Sequence, residues 1–258
     1  MAVATPCTCA CPQRVDVRAG GADTCAVIVA GGSGERFGDP RGKQFVDLAG
    51  LPLVAWSLLA FDRAPSVAHL VVVCPRGREE EMRTDVLARL ELVHEVTLAA
   101  AGVTRQDSVF SGLMAAPEEL ALVAVHDGAR PLIEVETIEL CLAAVRENKQ
   151  VDGAICASRE TDTLKIVDDS GCIVATPDRS HYWCAQTPQV FWRKVILEAH
   201  EDSLLQGFVG TDDASLVEHV GGKVRVVEAP RDNIKVTVPE DLAIAEATLV
   251  ARLEQGTC

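Results

Sequence analysis

The sequence predicts a protein of the α/β class, with a three-layer, doubly wound, mostly parallel sheet and a protruding β-hairpin arm. Short apolar runs rich in β-branched residues, typical of strands buried on both faces, alternate with segments whose apolar residues recur at helical spacing. The alternation stops at residues 159–182, where two strand-like segments flank the turn-forming sequence Asp168–Gly171. The 258 residues, 48% of them apolar, are enough for one large domain.

Strands and helices alternate from residue 25 to residue 158. The predicted strands cover residues 25–30, 69–74, 92–100, 122–126 and 153–158. The predicted helices cover residues 52–62, 77–90, 102–115 and 134–148. Because strands joined through a helix lie parallel with a right-handed crossover, this order predicts a parallel sheet covered by helices.

The remaining segments complete a single domain over residues 23–258. The later predicted elements are a helix at 193–205, a helix after Gly210, a strand at 224–228 and a last helix ending at Leu253. Thr211 is placed either to cap a helix or to contact a substrate, and the sequence leaves both roles open. Residues 1–22 are expected to be a disordered leader, whose Cys7, Cys9 and Cys11 lack a fourth metal ligand nearby.

The arm, residues 159–182, is expected to contact a second subunit. A two-stranded ribbon is not stable by itself in water, so it needs another surface for support. A second copy of the chain is the simplest source of that surface. The sequence therefore predicts a homodimer in which Thr163 and Arg179 reach the neighbouring subunit's crevice.

A glycine-rich turn directly follows the first predicted strand. Its glycines are Gly31, Gly32, Gly34 and Gly38. Such residues adopt positive φ and let a ligand approach the backbone, whose successive N–H groups form a concave surface for phosphate oxygens. Two cations, Arg36 and Lys43, lie within and just beyond the turn. The pattern predicts a nucleotide phosphate site; the alternative is a surface turn with two solvated cations.

Other phosphate-binding motifs fit this turn less well. A P-loop requires Gly-Lys followed by Ser or Thr, and Lys43 is followed by Gln44. The dinucleotide fingerprint fails on spacing, because Pro40 and Gly42 prolong the loop where a helix would begin. The remaining pattern, Gly-Gly-Ser-Gly-x-Arg followed by a lysine, resembles the sugar nucleotidyltransferases.

Two later segments are expected to reach the same crevice. A predicted helix begins at Gly102 and has Arg105, Asp107 and Ser108 near its N-terminus, where partial positive charge collects and a nucleotide can be held. Simple capping by Asp107 or Ser108 is the alternative, and both roles can hold at once. Asp127 and Arg130 directly follow a strand, and ligands of open α/β sheets bind beyond the carboxyl ends of strands. The carboxylate suits a metal or a ligand hydroxyl, and the guanidinium suits a second phosphate.

Composition and net charge limit the classes of partner that the chain is expected to bind. The net charge of −14 and the sequence pI near 4.8 argue against nucleic acid, because no basic stripe is present to replace phosphate counterions. No apolar run approaches the ~20 residues that span a bilayer, and the first 22 residues lack the apolar segment of a signal peptide. A cytoplasmic location without membrane contact is predicted. Four cysteines lie in apolar runs and are expected to be buried free thiols: Cys25, Cys74, Cys141 and Cys156.

Seven motifs in order resemble the 2-C-methyl-D-erythritol 4-phosphate cytidylyltransferases of the non-mevalonate isoprenoid route. They are AGGSGERFG with GKQF, RQDSV, HDGARP, TDTLK, QTPQVF, GTDDAS and DNIKVT, between about residues 24 and 253. The resemblance implies transfer of a cytidylyl group from CTP to methylerythritol phosphate by a homodimer. It also implies a divalent cation, usually Mg²⁺, bound mainly through the CTP phosphates, with no protein residue assigned as a metal ligand.

The same resemblance implies roles for individual residues. The residues that would hold CTP are Ala30, Gly31, Gly32, Gly102, Ser108 and Asp127. The residues with a catalytic role would be Arg36 and Lys43, which stabilise the transition state, and Arg179 and Lys235, which position the second substrate. The residues that would bind methylerythritol phosphate are Asp127, Arg130, Thr163, Arg179 and Thr211.

The chain departs from the family pattern at three glycines. Gly31, Gly42 and Gly128 stand where the family usually has Ala, Pro and Ala, changes that affect loop rigidity more than chemistry. A ribitol 5-phosphate cytidylyltransferase is the closest alternative, but RQDSV and DNIK favour the methylerythritol group. A non-catalytic nucleotide-binding regulatory module is the alternative of another class, and loss of Lys43 or Arg36, both present here, would mark it.

Overall fold

The computed structural model describes residues 21–32, 34 and 37–255. Its strands are β1 (Thr24–Val29), β2 (Asp47–Leu48), β3 (Leu51–Pro52), β4 (Val67–Cys74), β5 (Val96–Ala100), β6 (Leu122–Asp127), β7 (Gly153–Arg159), β8 (Ile166–Val167), β9 (Ile173–Ala175), β10 (Trp183–Trp192) and β11 (Val224–Glu228). Its α-helices are α1 (Leu53–Arg63), α2 (Glu79–Glu81), α3 (Arg105–Ala115), α4 (Val135–Arg146), α5 (Arg193–Gln206), α6 (Asp213–His219) and α7 (Pro239–Glu254). Most of the predicted leader, including Cys7, Cys9 and Cys11, lies outside the described residues.

Seven of the described strands form one mostly parallel sheet in the order β11-β7-β10-β6-β1-β4-β5. This arrangement confirms the predicted doubly wound fold. β1 lies between β4 and β6 and is parallel to both, so the chain leaves β1 toward one edge of the sheet and later returns to its other side. A crevice for ligands forms at such a point, beyond the carboxyl end of the strand. β10 is antiparallel to both of its neighbours, β6 and β7, a reversal that the strand–helix alternation did not predict.

Apolar side chains on both faces of the sheet produce the three layers. Successive residues of a strand point to opposite faces. In β1, Ala26 and Ile28 therefore join the core under α1 and α4, whereas Cys25 and Val27 join the core under α3, α5 and α6. The four cysteines in apolar runs are buried free thiols, as predicted. Among the described residues, no helix is long and apolar enough to cross a membrane.

The predicted helix at 77–90 is irregular. Its α-helical part begins at Glu79, and it continues as a π-helical turn, Met82–Val86, and a 3-10 turn, Leu87–Arg89. The prediction of one regular helix was therefore wrong in geometry. Apolar spacing indicates which side faces the core but does not distinguish these closely related turns.

The predicted strand at 92–100 begins only at Val96. The carboxylate of Asp62 accepts hydrogen bonds from the N–H groups of Val93 (3.0 Å) and His94 (2.9 Å). Because these N–H groups are already bonded to the end of α1, the chain joins the sheet later than its apolar pattern suggests.

The predicted hairpin arm is present. β8 and β9 pair antiparallel, and Asp168 Oδ1 accepts hydrogen bonds from the N–H groups of Ser170 and Cys172, each at 3.0 Å, in the turn between them. The chain leaves the sheet at Arg159 and returns at Trp183, and these two residues pair across β7 and β10. The exposed apolar side chains of the arm are Ile166, Val167, Ile173 and Val174.

Helix α3 packs closely against the sheet at Gly112. A Cβ at this position would lie 2.4 Å from Cγ1 of Val27 and 2.7 Å from Cγ2 of Val73. In an exposed helix, alanine would be better than glycine by about 1 kcal/mol, but these two buried β-branched side chains have little rotamer freedom to move aside. We expect Gly112→Ala to lower the free energy of unfolding by about 1–3 kcal/mol, measured by urea denaturation.

A Val27→Ala variant supplies the control. It removes the Cγ1 atom nearest to the new methyl group, so the double variant should be less destabilised than the sum of the two single variants. A Gly112→Ala protein as stable as the wild type would contradict the close packing.

Candidate functional site

The glycine turn after β1 lies against the loop that follows β5. A Cβ at Gly31 would be 2.2 Å from Cβ of Ala101, so only glycine permits this approach. The N–H of Ala30 donates to the carbonyl oxygen of Val73, and the N–H of Ala101 donates to that of Cys74, both at 2.8 Å. The ends of three neighbouring strands therefore converge on the turn.

Gly102 and Ser108 are linked within the second loop. The N–H of Gly102 donates to Ser108 Oγ at 3.0 Å, and this hydroxyl donates to the carbonyl oxygen of Thr104 at 2.8 Å. Asp107 takes part in capping α3, as one of the two alternatives held, but it is not the N-cap residue. Thr104 is the N-cap, and Asp107 returns a bond to its N–H in a capping box. Because Thr104 lies just before the helix and is itself a favoured cap, the sequence did not distinguish these neighbours.

The two loops enclose a cavity of about 490 Å³. The predicted nucleotide-binding residues all line it, namely Ala30, Gly31, Gly32, Gly102, Ser108 and Asp127. Lys43 and Lys235 line it too. The structure thus brings together in one cavity residues that are up to about 200 positions apart in the sequence.

A second cavity of about 290 Å³ adjoins the first. Arg130 and Thr211, both predicted for the second substrate, line it. Arg105, Asp127 and Lys235 line both cavities and therefore form the wall between them. A group bound in either cavity can therefore contact these three side chains.

Asp127 is the anion of that wall. Its Oδ2 accepts a hydrogen bond from Lys235 Nζ at 2.7 Å, and its Oδ1 accepts one from Arg105 Nε at 3.2 Å. Burial by itself would raise the pKa of this carboxyl, but Arg105 and Lys235 hold the pKa below its ordinary value. Asp127 is therefore ionised at neutral pH and orients both cations.

Two further cations are held by backbone carbonyls. Lys43 Nζ donates to the carbonyl oxygen of Val236 at 2.7 Å, next to Lys235. Arg130 Nη1 donates to the carbonyl oxygen of Asn233 at 2.7 Å, and burial lowers the pKa of Arg130. The segment 233–236 thus carries Lys235 and also positions the two cations contributed by earlier loops.

A buried chain of hydrogen bonds supports the turn after β6. The N–H of Asp127 donates to Thr187 Oγ1 (3.0 Å), which lies 3.1 Å from His126 Nδ1, while His126 Nε2 lies 3.2 Å from the carbonyl oxygen of Arg130. Because a carbonyl only accepts, Nε2 of the neutral ring carries the proton and Nδ1 accepts the Thr187 hydroxyl. His126 and Thr187 were not among the predicted site residues; their places in HDGARP and QTPQVF were the available signal.

Thr211 is not a helix cap. Asp212 caps α6, with its Oδ1 accepting from the N–H of Ser215 at 3.0 Å. Threonine and aspartate are both good N-caps, so the sequence did not decide between adjacent candidates. Thr211 lies one residue outside the helix and lines the second cavity, the position its other predicted role requires.

Thr163 and Arg179 line neither cavity of their own chain. Both are exposed in the arm, where Arg179 Nη1 donates to the carbonyl oxygen of Thr161 at 2.5 Å. Their expected action on a partner subunit stays a prediction. Arg36 lies outside the described residues, and its predicted role also stays a prediction.

The buried His126 makes stability depend on pH. Burial lowers its pKa from 6.5 to about 4, so between these values the unfolded chain binds a proton that the folded chain does not. The free energy of unfolding should therefore fall as the pH falls from about 6.5 toward 4, by up to about 1.4 kcal/mol per pH unit from this residue.

His126→Gln tests this assignment in urea denaturation at several pH values. Glutamine retains a donor and an acceptor but does not titrate. The slope of the free energy of unfolding against pH should therefore lose the contribution of about one proton. His181→Gln, at an exposed position in the arm, is the matched control for the substitution itself. An unaltered slope in His126→Gln would contradict the assignment.

Comparison with known proteins identifies close relatives. A family profile described as 2-C-methyl-D-erythritol 4-phosphate cytidylyltransferase matches residues 24–251. The chain is 40% identical over 226 residues to the protein of that name from Nostoc punctiforme, covering 88% of this chain and 98% of the relative. It is 42% identical over 224 residues to the one from Syntrophotalea carbinolica, covering 86% and 94% of the two chains.

Solved structures agree with the sequence matches. The 4-diphosphocytidyl-2C-methyl-D-erythritol synthase of Anaerococcus prevotii superposes with a TM-score of 0.78 and 30% identity, over 88% of this chain and 98% of that chain. The 2-C-methyl-D-erythritol 4-phosphate cytidylyltransferase of Thermus thermophilus superposes with a TM-score of 0.69 and 29% identity, over 87% and 98% of the two chains.

Proposed function

We infer the reaction from the family to which this chain belongs, the 2-C-methyl-D-erythritol 4-phosphate cytidylyltransferases. The chain transfers the cytidylyl group of CTP to 2-C-methyl-D-erythritol 4-phosphate and releases pyrophosphate, a step of isoprenoid biosynthesis. The observation that carries the inference is the pair of adjoining cavities separated by Arg105, Asp127 and Lys235. One cavity has the glycine turn expected of a nucleotide site, and the other has cations suited to a monophosphate.

The chemistry requires positioning and charge stabilisation. An oxygen of the sugar monophosphate is already ionised near neutral pH, and it attacks the α-phosphorus of CTP in line while pyrophosphate leaves. Backbone N–H groups of the glycine turn hold the triphosphate. Lys43 and Arg36 stabilise charge that develops on the α-phosphate and the leaving group, and Lys235 and Arg130 orient the incoming phosphate.

We also propose that Mg²⁺ enters with the triphosphate. Within the described residues, no group of three or more His, Cys, Asp or Glu side chains is placed to hold a metal ion. Both carboxylate oxygens of Asp127 are bonded to Lys235 and Arg105. These side chains do not fit a protein-made metal cage, and a magnesium ion would take its ligands mainly from phosphate oxygens and water, where it neutralises charge.

The arm supports a homodimer with shared sites. Ile166, Val167, Ile173 and Val174 are between 49% and 62% exposed, and a second subunit would cover them. In that arrangement Thr163 and Arg179 contact the sugar phosphate in the partner's second cavity. The buried free thiols further support a reducing compartment, the cytoplasm, as the location.

A ribitol 5-phosphate cytidylyltransferase would use the same cavities and the same chemistry. The two activities are separated by measuring pyrophosphate release from CTP with each sugar phosphate, with Mg²⁺ and with a chelator. We expect turnover with methylerythritol phosphate and its loss with the chelator. Preferential turnover of ribitol 5-phosphate would assign the chain to the other substrate, and no turnover with either would favour a non-catalytic nucleotide-binding module.

Lys43→Ala tests the nucleotide side of the site. Removing one preorganised donor of transition-state charge costs about 3 kcal/mol, so kcat should fall on the order of a hundredfold while CTP binding weakens much less. Lys194→Ala is the matched control, because Lys194 is an exposed lysine of α5 whose ion-pair partner among the described residues is Glu198. Normal turnover of Lys43→Ala would refute the assignment.

A mixture of two inactive variants tests the shared sites. If Arg179 acts on the partner's cavity, co-expressed Lys43→Ala and Arg179→Ala chains form heterodimers with one intact site and one doubly altered site. Random pairing should then restore about a quarter of the wild-type activity per subunit. If Arg179 acts within its own chain, the mixture stays inactive.

A further inference from the structure

Arg105 is held between two carboxylates, which lie 22 and 108 residues away from it in the sequence. Its Nε donates to Asp127 Oδ1 at 3.2 Å, and its Nη2 donates to Asp213 Oδ2 at 2.9 Å. Burial by itself would lower the pKa of this guanidinium, but the two carboxylates raise it above its ordinary value. Arg105 therefore carries a permanent charge in one defined orientation.

Asp213 has the geometry of a positioning residue. Its side chain is 1% exposed, and it lies at the first residue of α6, where its N–H donates to Gln189 Oε1 at 3.0 Å. Leaving a buried carboxylate without a charged partner is costly. In the described part of the chain, its charged partner is Arg105, and His200 Nε2 lies 3.7 Å from its Oδ1. The hydrogen-bonded partner of Asp213 is thus the guanidinium at the wall.

The pairing leaves part of the guanidinium available. An arginine has five N–H donors, and the hydrogen bonds that Arg105 makes to described residues use Nε and Nη2. The two donors of Nη1 remain for a ligand. The side chain is 31% exposed and lines both cavities, so a ligand in either one can reach it.

We propose that Arg105 is a further substrate-contacting residue of the reaction, and that Asp213 is its positioning residue. The proposal rests on the proposed function. The Nη1 donors contact phosphate oxygens at the junction of the cavities, where the α-phosphate of CTP meets the incoming monophosphate. A planar guanidinium can bridge two such oxygens, which reduces the repulsion between the reacting anions and stabilises charge in the transition state.

A purely structural role makes different predictions. If Arg105 only neutralised Asp127 and Asp213, its loss would lower stability and leave the reaction rate of the remaining folded protein nearly normal. If it contacts the phosphates, kcat changes much more than stability or CTP affinity. The informative readout is therefore whether kcat falls without a comparable change in the Kd of CTP or in the midpoint of thermal unfolding.

The test compares Arg105→Met, Arg105→Lys and Asp213→Asn with Arg225→Met, an exposed arginine of the edge strand β11. We expect kcat of Arg105→Met to fall on the order of a hundredfold, with the Kd of CTP, measured by calorimetry, within about threefold of the wild type. Arg105→Lys should stay about tenfold or more below the wild type, because an ammonium cannot bond both carboxylates in a fixed plane and also bridge two oxygens.

Asp213→Asn should lower kcat by about tenfold and raise KM for the sugar phosphate more than KM for CTP. It retains an acceptor for Arg105 but loses the charge that fixes the guanidinium. Arg225→Met should behave as the wild type. Free guanidinium ions should partly restore the activity of an Arg105→Ala variant and have no such effect on Lys43→Ala.

Two results overturn the proposal by itself. One is an Arg105→Met protein with kcat within about threefold of the wild type. The other, decisive if that variant does not fold, is an Arg105→Lys protein with normal kcat and a normal unfolding midpoint. A wild-type protein without cytidylyl transfer would instead overturn the proposed function, and this proposal with it.

Discussion

The site depends on one buried carboxylate bound by two cations. Asp127 lies at the carboxyl end of a central strand, between Lys235 at 2.7 Å and Arg105 at 3.2 Å. These three residues come from β6, from the segment before α7 and from the start of α3. Each cation is oriented by the same anion, so the wall between the cavities exists only when all three segments are in place. The other side chains that line the two cavities lie on either side of that wall.

This constraint explains how an acidic protein accommodates two anionic substrates. The net charge of the chain is −14, which repels phosphate at long range. Lys43, Arg105, Arg130 and Lys235 nevertheless lie together around the two cavities. Their charges are partly balanced by Asp127 and Asp213, which keeps the cluster stable without substrate. Substrates then supply the remaining negative charge, where it contributes to binding and to the rate.

The reversed strand β10 connects the site to the arm. It runs antiparallel between β6 and β7, so the chain must turn back after β7, and the arm is the connection that makes this turn. The same strand brings Thr187 against the backbone of Asp127 and Gln189 against the start of α6. Residues of this reversed strand therefore support the wall and position Asp213, and the arm is the connection that leads into the strand.

The sequence by itself determined the features that are local in the chain. Apolar runs indicated the strands, and the glycine turn, the segment after Gly102 and Asp127 were expected to share one crevice because each follows the carboxyl end of a strand. The structure places them around one cavity. The role of Thr211, as a helix cap or as a substrate contact, was left open; the cap of α6 is the next residue, Asp212, because neighbours with similar capping propensity differ only in tertiary contacts. The direction of β10, the Arg105–Asp213 pair and the Thr187–His126 chain were decided only by the tertiary structure. The partners in those two contacts are 108 and 61 residues apart, and their contact free energy depends on burial and on long-range pairing that no local pattern records.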